Sequence, residues 1–134
     1  MDNQTPMKDY KDLIVWKKSM RLTKEVYTLT SRLPKAETFG LTSQLQRAAA
    51  SVPANIAEGY GRCSKLDYLH FLRISRGSLY ELETELWICV SLGYVSKKEA
   101  TGCFSLQSEV SRMLYGLIQQ VSASQKHSSA NTLQ

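Results

Sequence analysis

His70 is a side chain whose type and spacing could serve in metal binding or catalysis. The run Asp67-Tyr68-Leu69-His70 is similar to one half of the paired Glu-x-x-His motifs with which helical bundles hold two metal ions. Such a site needs two of these motifs and two further glutamates. The other histidine, His127, lies in a polar segment without helical periodicity. We therefore expect no metal site and no other cofactor.

His70 could also accept a phosphoryl group. Histidine phosphotransfer domains are four-helix bundles with an exposed histidine followed by a base and then glycine, and His70-Phe71-Leu72-Arg73 is similar. Ile74 stands where that pattern has glycine, and its side chain would crowd an approaching response regulator. A histidine phosphotransfer domain using His70 is thus a remote alternative.

The acidic and glycine-rich patterns of the sequence do not indicate an enzyme either. Glu81 and Glu85 are four residues apart and would be neighbours on a helix, but such pairs are far more often solvated or ion-paired than catalytic. Gly59-Tyr60-Gly61 lacks the third glycine and the preceding strand of a phosphate-binding loop. We predict that the protein is not an enzyme.

The cysteines and the apolar stretches bear on the compartment. Cys63, Cys89 and Cys103 cannot all pair and form no Cys-x-x-Cys, which favours reduced thiols. The longest apolar stretch, residues 86–95, is far shorter than the ~20 residues of a membrane-spanning helix. The first residues do not follow the pattern of a signal peptide. We expect a cytoplasmic protein without a membrane partner.

Basic side chains are concentrated early in the chain. Seventeen Lys and Arg against twelve Asp and Glu give a net charge of +5, and residues 1–36 alone carry eight basic and four acidic groups. Lys17, Arg21 and Lys24 are spaced 4 and 3, so a helix would place them on one face. Positive charge favours polyanionic partners. The candidate phosphate-binding residues are Lys17, Lys18, Arg21, Lys24, Arg62, Lys65, Arg73 and Arg76.

The elements that must position these groups are four helices. Apolar residues recur at helical spacing within about 12–33, 42–62, 64–92 and 96–122 of the 134 residues, and no segment alternates like a strand. Pro53 lies inside the second helix, where we expect a kink or a local break. The pattern predicts an all-α, antiparallel up-and-down four-helix bundle. Its domain spans residues 10–122, with residues 1–9 flexible and 123–134 a disordered polar tail.

A polar stripe follows the second predicted helix. Its members are spaced 3, 4, 4 and 3, so they share one face, and small alanines flank them and permit close approach of another helix. We predict an interhelical or intersubunit polar network, with a solvated face and a ligand site as alternatives. The candidate residues are Gln44, Arg47, Ser51, Asn55 and Glu58.

The same helix carries a family resemblance. The run Leu41-Thr42-Ser43-Gln44-Leu45-Gln46-Arg47-Ala48-Ala49-Ala50-Ser51-Val52-Pro53-Ala54-Asn55-Ile56-Ala57-Glu58-Gly59-Tyr60-Gly61-Arg62 resembles the signature of bacterial proteins encoded by intervening sequences in 23S rRNA genes. The stretches 12–16, 71–72 and 77–84 resemble the same family, although Arg76 stands where an apolar or small residue is expected. The resemblance implies a four-helix bundle that assembles as a ring-like homopentamer. It also implies kinship with the accessory protein of diversity-generating retroelements, a basic pentamer that binds nucleic acid and a reverse transcriptase.

Two functions follow as hypotheses. The first is a non-enzymatic, oligomeric bundle that binds RNA, DNA or a ribonucleoprotein through a basic face. The alternative is a protein-interaction or structural bundle whose partner is another copy or a different protein. Basic groups on one continuous face favour the first hypothesis, whereas dispersed basic groups and an open apolar patch favour the second.

Overall fold

The computed structural model describes residues 9–124, which are mainly helical and contain no strand. The four helices are α1 (Ile14–Thr30), α2 (Leu41–Tyr60), α3 (Lys65–Ser91) and α4 (Thr101–Ala123). Short 3-10 turns cover Tyr10–Asp12 and Lys35–Glu37. The all-α prediction is confirmed. The predicted flexible and disordered ends lie largely outside the described residues, and α4 reaches Ala123.

Local signals at the helix ends explain most of these bounds. The Ser64 hydroxyl accepts a hydrogen bond from the backbone N–H of Asp67 (3.0 Å) and caps α3. Gly93 follows α3 with φ at +78°, the left-handed conformation that glycine adopts most easily. Ser96 and Glu99 exchange both capping hydrogen bonds, yet α4 begins only at Thr101, because this pair closes a separate turn before the helix.

The helices bury one shared apolar core. Helix α1 packs against α2 and α4, and α3 packs against the same two helices. Each helix faces the centre with leucine, valine or isoleucine side chains, as the spacing of three and four predicts. The described chain is therefore a four-helix bundle, whereas its antiparallel up-and-down order stays a prediction. Fully buried side chains include Leu22, Leu45, Leu72, Leu79, Leu82, Leu86 and Leu114.

Helix α2 runs through Pro53 as one helix. The predicted local break is therefore wrong, and the kink stays a prediction. Proline has no backbone N–H, so the carbonyl of Ala49 loses its usual partner four residues later. The Thr23 hydroxyl of α1 donates to that carbonyl at 3.1 Å. The same hydroxyl also lies 2.9 Å from the Ser19 carbonyl of α1, so its single proton is shared between the two carbonyls and partly replaces the bond that Pro53 cannot make.

Close approach of α2 and α3 depends on Gly59. A Cβ atom at this position would lie 2.8 Å from Cβ of Phe71 and 3.2 Å from the carbonyl oxygen of Tyr68. Both distances are shorter than van der Waals contact. Glycine is therefore the residue that lets the end of α2 pack on the start of α3.

Candidate nucleic-acid interface

The outer face of α1 carries three cations. The inner face of this helix buries Val15, Leu22 and Val26, and the opposite face exposes the three basic side chains. None of the three forms an ion pair with another residue in 9–124. We call Lys17, Arg21 and Lys24 the α1 stripe.

The other candidate cations are dispersed. The Lys18 ammonium lies 3.1 Å from a carboxylate oxygen of Glu109 on α4, and the Arg62 guanidinium lies 2.7 Å from Glu58. Arg62 also stacks over the Phe71 ring, and the Lys65 ammonium donates to the Ser122 carbonyl at 3.3 Å. The remaining two, Arg73 and Arg76, lie on α3, which is not a packing neighbour of α1. The eight candidates therefore form no single continuous face within one chain.

The polar stripe of α2 divides between two surroundings. The hydroxyls of Ser51 and Ser78 lie 2.7 Å apart and join α2 to α3, and the Asn55 amide donates to the Ser51 hydroxyl at 3.0 Å and to its carbonyl at 2.8 Å. Glu58 is exposed and forms an ion pair with Arg62, just beyond the end of α2. Gln44 and Arg47 are exposed as well. A small interhelical cluster of Ser51, Asn55 and Ser78 thus lies beside a solvated row.

One carboxyl group is buried beneath this row. Glu85 of α3 is 5% exposed, and its Oε1 atom has no hydrogen-bond partner among residues 9–124. Burial raises the pKa of Glu85 to about 7, with smaller increases from the hydrogen bond and charge of Glu81, while Arg47 lowers it. A carboxyl group with this pKa is about half protonated near neutral pH.

His70 and the three cysteines lie in different surroundings. His70 is exposed and contacts Phe71 edge-on, with ring centroids 5.3 Å apart. Cys63 is exposed, while Cys89 and Cys103 are buried, and burial raises the pKa of both buried thiols to about 11. No cluster of three or more His, Cys, Asp or Glu with metal-binding geometry occurs in the described part of the chain.

A groove between α3 and α4 holds aromatic and basic side chains that the sequence analysis, apart from Arg76, did not single out. Two hollows of about 550 and 420 Å³ share Glu83, Gln107 and Ser108, so they form one continuous groove. The signal was present in the spacing, because 76, 80, 83 and 87 lie 4, 3 and 4 residues apart. We call this the α3/α4 groove; its lining includes Arg76, Tyr80, Trp87, Lys97, Phe104, Arg112 and Tyr115.

A second groove, between α1 and α2, is apolar. Its volume is about 390 Å³. On the same chain, Phe39 is 96% exposed in the turn before α2. Ala50, the first α2 residue of the groove, comes eleven residues later, or ~16 Å along a helix. Phe39 is thus remote from its own groove, which is lined by Tyr10, Trp16, Met20, Thr23, Ala50, Pro53, Ala54 and Ala57.

Comparison with known proteins agrees with the bundle. Residues 11–116 match the family described as 23S rRNA-intervening sequence protein, and the chain belongs to this family. A solved protein of unknown function from the S23 ribosomal protein family of Bacteroides thetaiotaomicron VPI-5482 has the same fold, with a TM-score of 0.73 and 23% identity. That match covers 78% of this chain and 98% of the other. No curated protein matches the sequence. Within residues 9–124, no helix has the length and apolar character to cross a bilayer.

Proposed function

We propose that this family member is a non-enzymatic, cytoplasmic bundle that binds nucleic acid through the α1 stripe. The supporting observation is that Lys17, Arg21 and Lys24 are all exposed and without an ion pair to residues 9–124. Unpaired cations can approach phosphates without first giving up a carboxylate partner. Such contacts position a polyanion but do not read its sequence.

Three cations on one helix give weak binding, so repetition matters. Several copies in one assembly would present several stripes to the same strand, and each further contact becomes intramolecular once the first has formed. We infer that binding needs a homo-oligomer, with the ring of five copies as the specific expectation from the family resemblance.

Three reduced thiols, one of them exposed, support a cytoplasmic location.

Charge reversal tests this function. A labelled RNA of about 50 nucleotides is titrated with wild type and with the double variant Arg21→Glu, Lys24→Glu at low salt, where phosphate contacts are strongest. Both positions lie off the buried face of α1, so the fold should persist. The matched control is Lys35→Glu, Lys98→Glu, which makes the same change of charge at two exposed positions outside α1. Loss of binding in the first variant alone supports the proposal, and equal binding by both variants contradicts it.

The alternative function, an interaction bundle, is favoured by Phe39 and the α1/α2 groove. An aromatic ring that is 96% exposed and an apolar groove elsewhere on the same chain are complementary surfaces for two copies. We call the exposed Phe39 ring the knob. Because the knob and the groove are different surfaces, the contact would be head to tail, and such contacts close into rings or continue as filaments. We propose this contact as the route to the homo-oligomer.

Light scattering on two variants tests this contact. Phe39→Asp should remove the knob and Ala54→Arg should block the groove, and each variant alone should be monomeric. A mixture of the two retains one intact knob and one intact groove, so it should form dimers and nothing larger. A wild-type mass in either single variant would exclude the contact.

A further inference from the structure

The α3/α4 groove contains three aromatic side chains that are each about half exposed. Trp87, Tyr80 and Tyr115 are 45%, 51% and 50% exposed. The Trp87 ring packs against Phe104 with ring centroids 4.5 Å apart, so protein supports an indole that is still nearly half exposed. Supported, half-exposed rings are good stacking surfaces because little side-chain entropy is lost when a ligand covers them.

Cations accompany each of these rings. The Arg76 guanidinium lies 5.8 Å from the Tyr80 ring and 5.7 Å from the Tyr115 ring, and the Lys97 ammonium lies 5.6 Å from the Trp87 ring. Arg112 is held by the Ser108 hydroxyl at 2.7 Å. Three cations face one carboxylate, Glu83, so the groove is positive as well as aromatic.

We propose that the α3/α4 groove binds single-stranded nucleic acid, with bases stacked on Trp87 and on the Tyr80–Tyr115 pair. Arg76, Lys97 and Arg112 would contact the phosphates. Alternating aromatic and basic groups along a groove are the arrangement that single-strand-binding proteins use. The inference rests on the proposed function for its class of ligand, but it adds a second surface and restricts that surface to unpaired strands.

The length of the groove sets the size of the site. Trp87 and Tyr80 are seven residues apart on α3, or ~10.5 Å along the helix. Bases stacked ~3.4 Å apart would span this distance in about three steps, so one groove accommodates roughly four nucleotides. A duplex cannot use the same surface, because its base faces are already stacked within the helix.

Fluorescence of Trp87 tests the stacking directly. The chain has two tryptophans, so Trp16→Phe leaves Trp87 as the single indole. This variant is titrated with an oligothymidylate of about 12 nucleotides and with a strand of the same length in which every nucleotide is abasic. Both strands carry the same phosphates, and only the first has bases that can stack. We expect quenching and tight binding by the first strand, and weak binding without quenching by the second.

Two substitutions locate the stacking surfaces. Trp87→Leu and Tyr80→Leu remove an aromatic ring while keeping an apolar side chain, and each should weaken oligothymidylate binding by roughly five- to a hundredfold. Neither should change binding of the abasic strand. The matched control is Tyr27→Leu, which removes a tyrosine that is 49% exposed on α1. Circular dichroism of each variant checks that the fold persists.

The outcomes separate this inference from the proposed function. If the α1 stripe carries phosphate contacts, Arg21→Glu, Lys24→Glu weakens both strands equally and leaves the preference for bases intact. If that variant changes nothing while oligothymidylate still quenches Trp87, the groove acts alone and the proposed function fails. Equal binding of the two strands, no quenching by oligothymidylate, or undiminished binding by both leucine variants overturns the inference.

Discussion

At the scale of single residues, Thr23 allows α2 to contain a proline. Its hydroxyl shares one proton between the Ala49 carbonyl, which Pro53 leaves without a backbone partner, at 3.1 Å and the Ser19 carbonyl of its own helix at 2.9 Å. Valine has nearly the same shape as threonine but no hydroxyl. We expect Thr23→Val to lower the free energy of unfolding by ~1–3 kcal/mol, the loss typical of a buried carbonyl without a donor.

Urea unfolding of Thr23→Val and Thr28→Val checks this expectation. Thr28 is the matched control, because its hydroxyl donates to the Lys24 carbonyl of its own helix and its side chain is exposed. Thr28→Val should change the unfolding free energy by less than ~0.5 kcal/mol. Equal losses in the two variants would show that the contact with α2 contributes nothing.

Glu85 makes stability depend on pH. Its pKa is about 7 in the folded chain and close to the ordinary 4.5 in the unfolded chain. Between these values the folded state binds more protons, so its stability falls as pH rises from about 4.5 to about 7 and stays lower above that. Glu85→Gln removes the titration and should stabilise the protein relative to wild type near pH 8, by on the order of 1–3 kcal/mol, but hardly near pH 4.

Denaturant unfolding near pH 4 and near pH 8 measures this difference. Glu58→Gln is the control, since the Glu58 carboxylate is exposed and pairs with Arg62. Its effect should be small at both pH values, as for other exposed ion pairs. A Glu85→Gln variant that is destabilised at high pH would show that the charged carboxylate is satisfied in the fold.

At the scale of helices, three glycines that lie within helices should respond differently to substitution by alanine. Gly59→Ala places a methyl group 2.8 Å from Phe71 Cβ, so α2 and α3 must separate, and we expect destabilisation of ~1–3 kcal/mol. Gly77 and Gly116 have open space at the corresponding position. Alanine there should stabilise by ~0.5–1 kcal/mol, because it restricts the unfolded chain and favours helix. Thermal melting of the three variants gives the three signs.

The four helices were predictable from the sequence, and most of their ends lie within three residues of the predicted bounds. Spacing of apolar residues, the Ser64 cap and Gly93 are local signals that act within a few residues. What the sequence could not supply was the pairing of faces. Glu58 shares a spacing with Ser51 and Asn55. Ser51 nevertheless bonds to Ser78 of α3 and Asn55 bonds to Ser51, whereas Glu58 is exposed, and this division depends on how α2 and α3 pack. Only the α3 half of the α3/α4 groove has a signal in the sequence, the shared spacing of 76, 80, 83 and 87, because packing decides which residues of α4 complete it.

At the scale of the whole molecule, the charge of the α1 stripe predicts how RNA binding depends on salt concentration. Binding of RNA through one stripe should be weak, with Kd ~10⁻⁴–10⁻⁶ M at physiological salt, and should tighten with RNA length if copies assemble. Each phosphate neutralised on a single strand contributes a slope of about −0.7 to log K against log salt. Arg21→Glu, Lys24→Glu should therefore flatten the slope by about 1.4 or more. An unchanged slope in a titration series would place the phosphate contacts elsewhere.

The Thr23–Ala49 hydrogen bond also has a consequence for the order of folding. A separate α2 cannot complete its backbone ladder at Pro53, so its middle turn is secured only once α1 has docked. Helix formation and docking then become one event for this pair. Native-state hydrogen exchange should show the central amides of α1 and α2 opening together, as a single cooperative unit. The proline that weakens one helix thereby makes two helices dependent on each other.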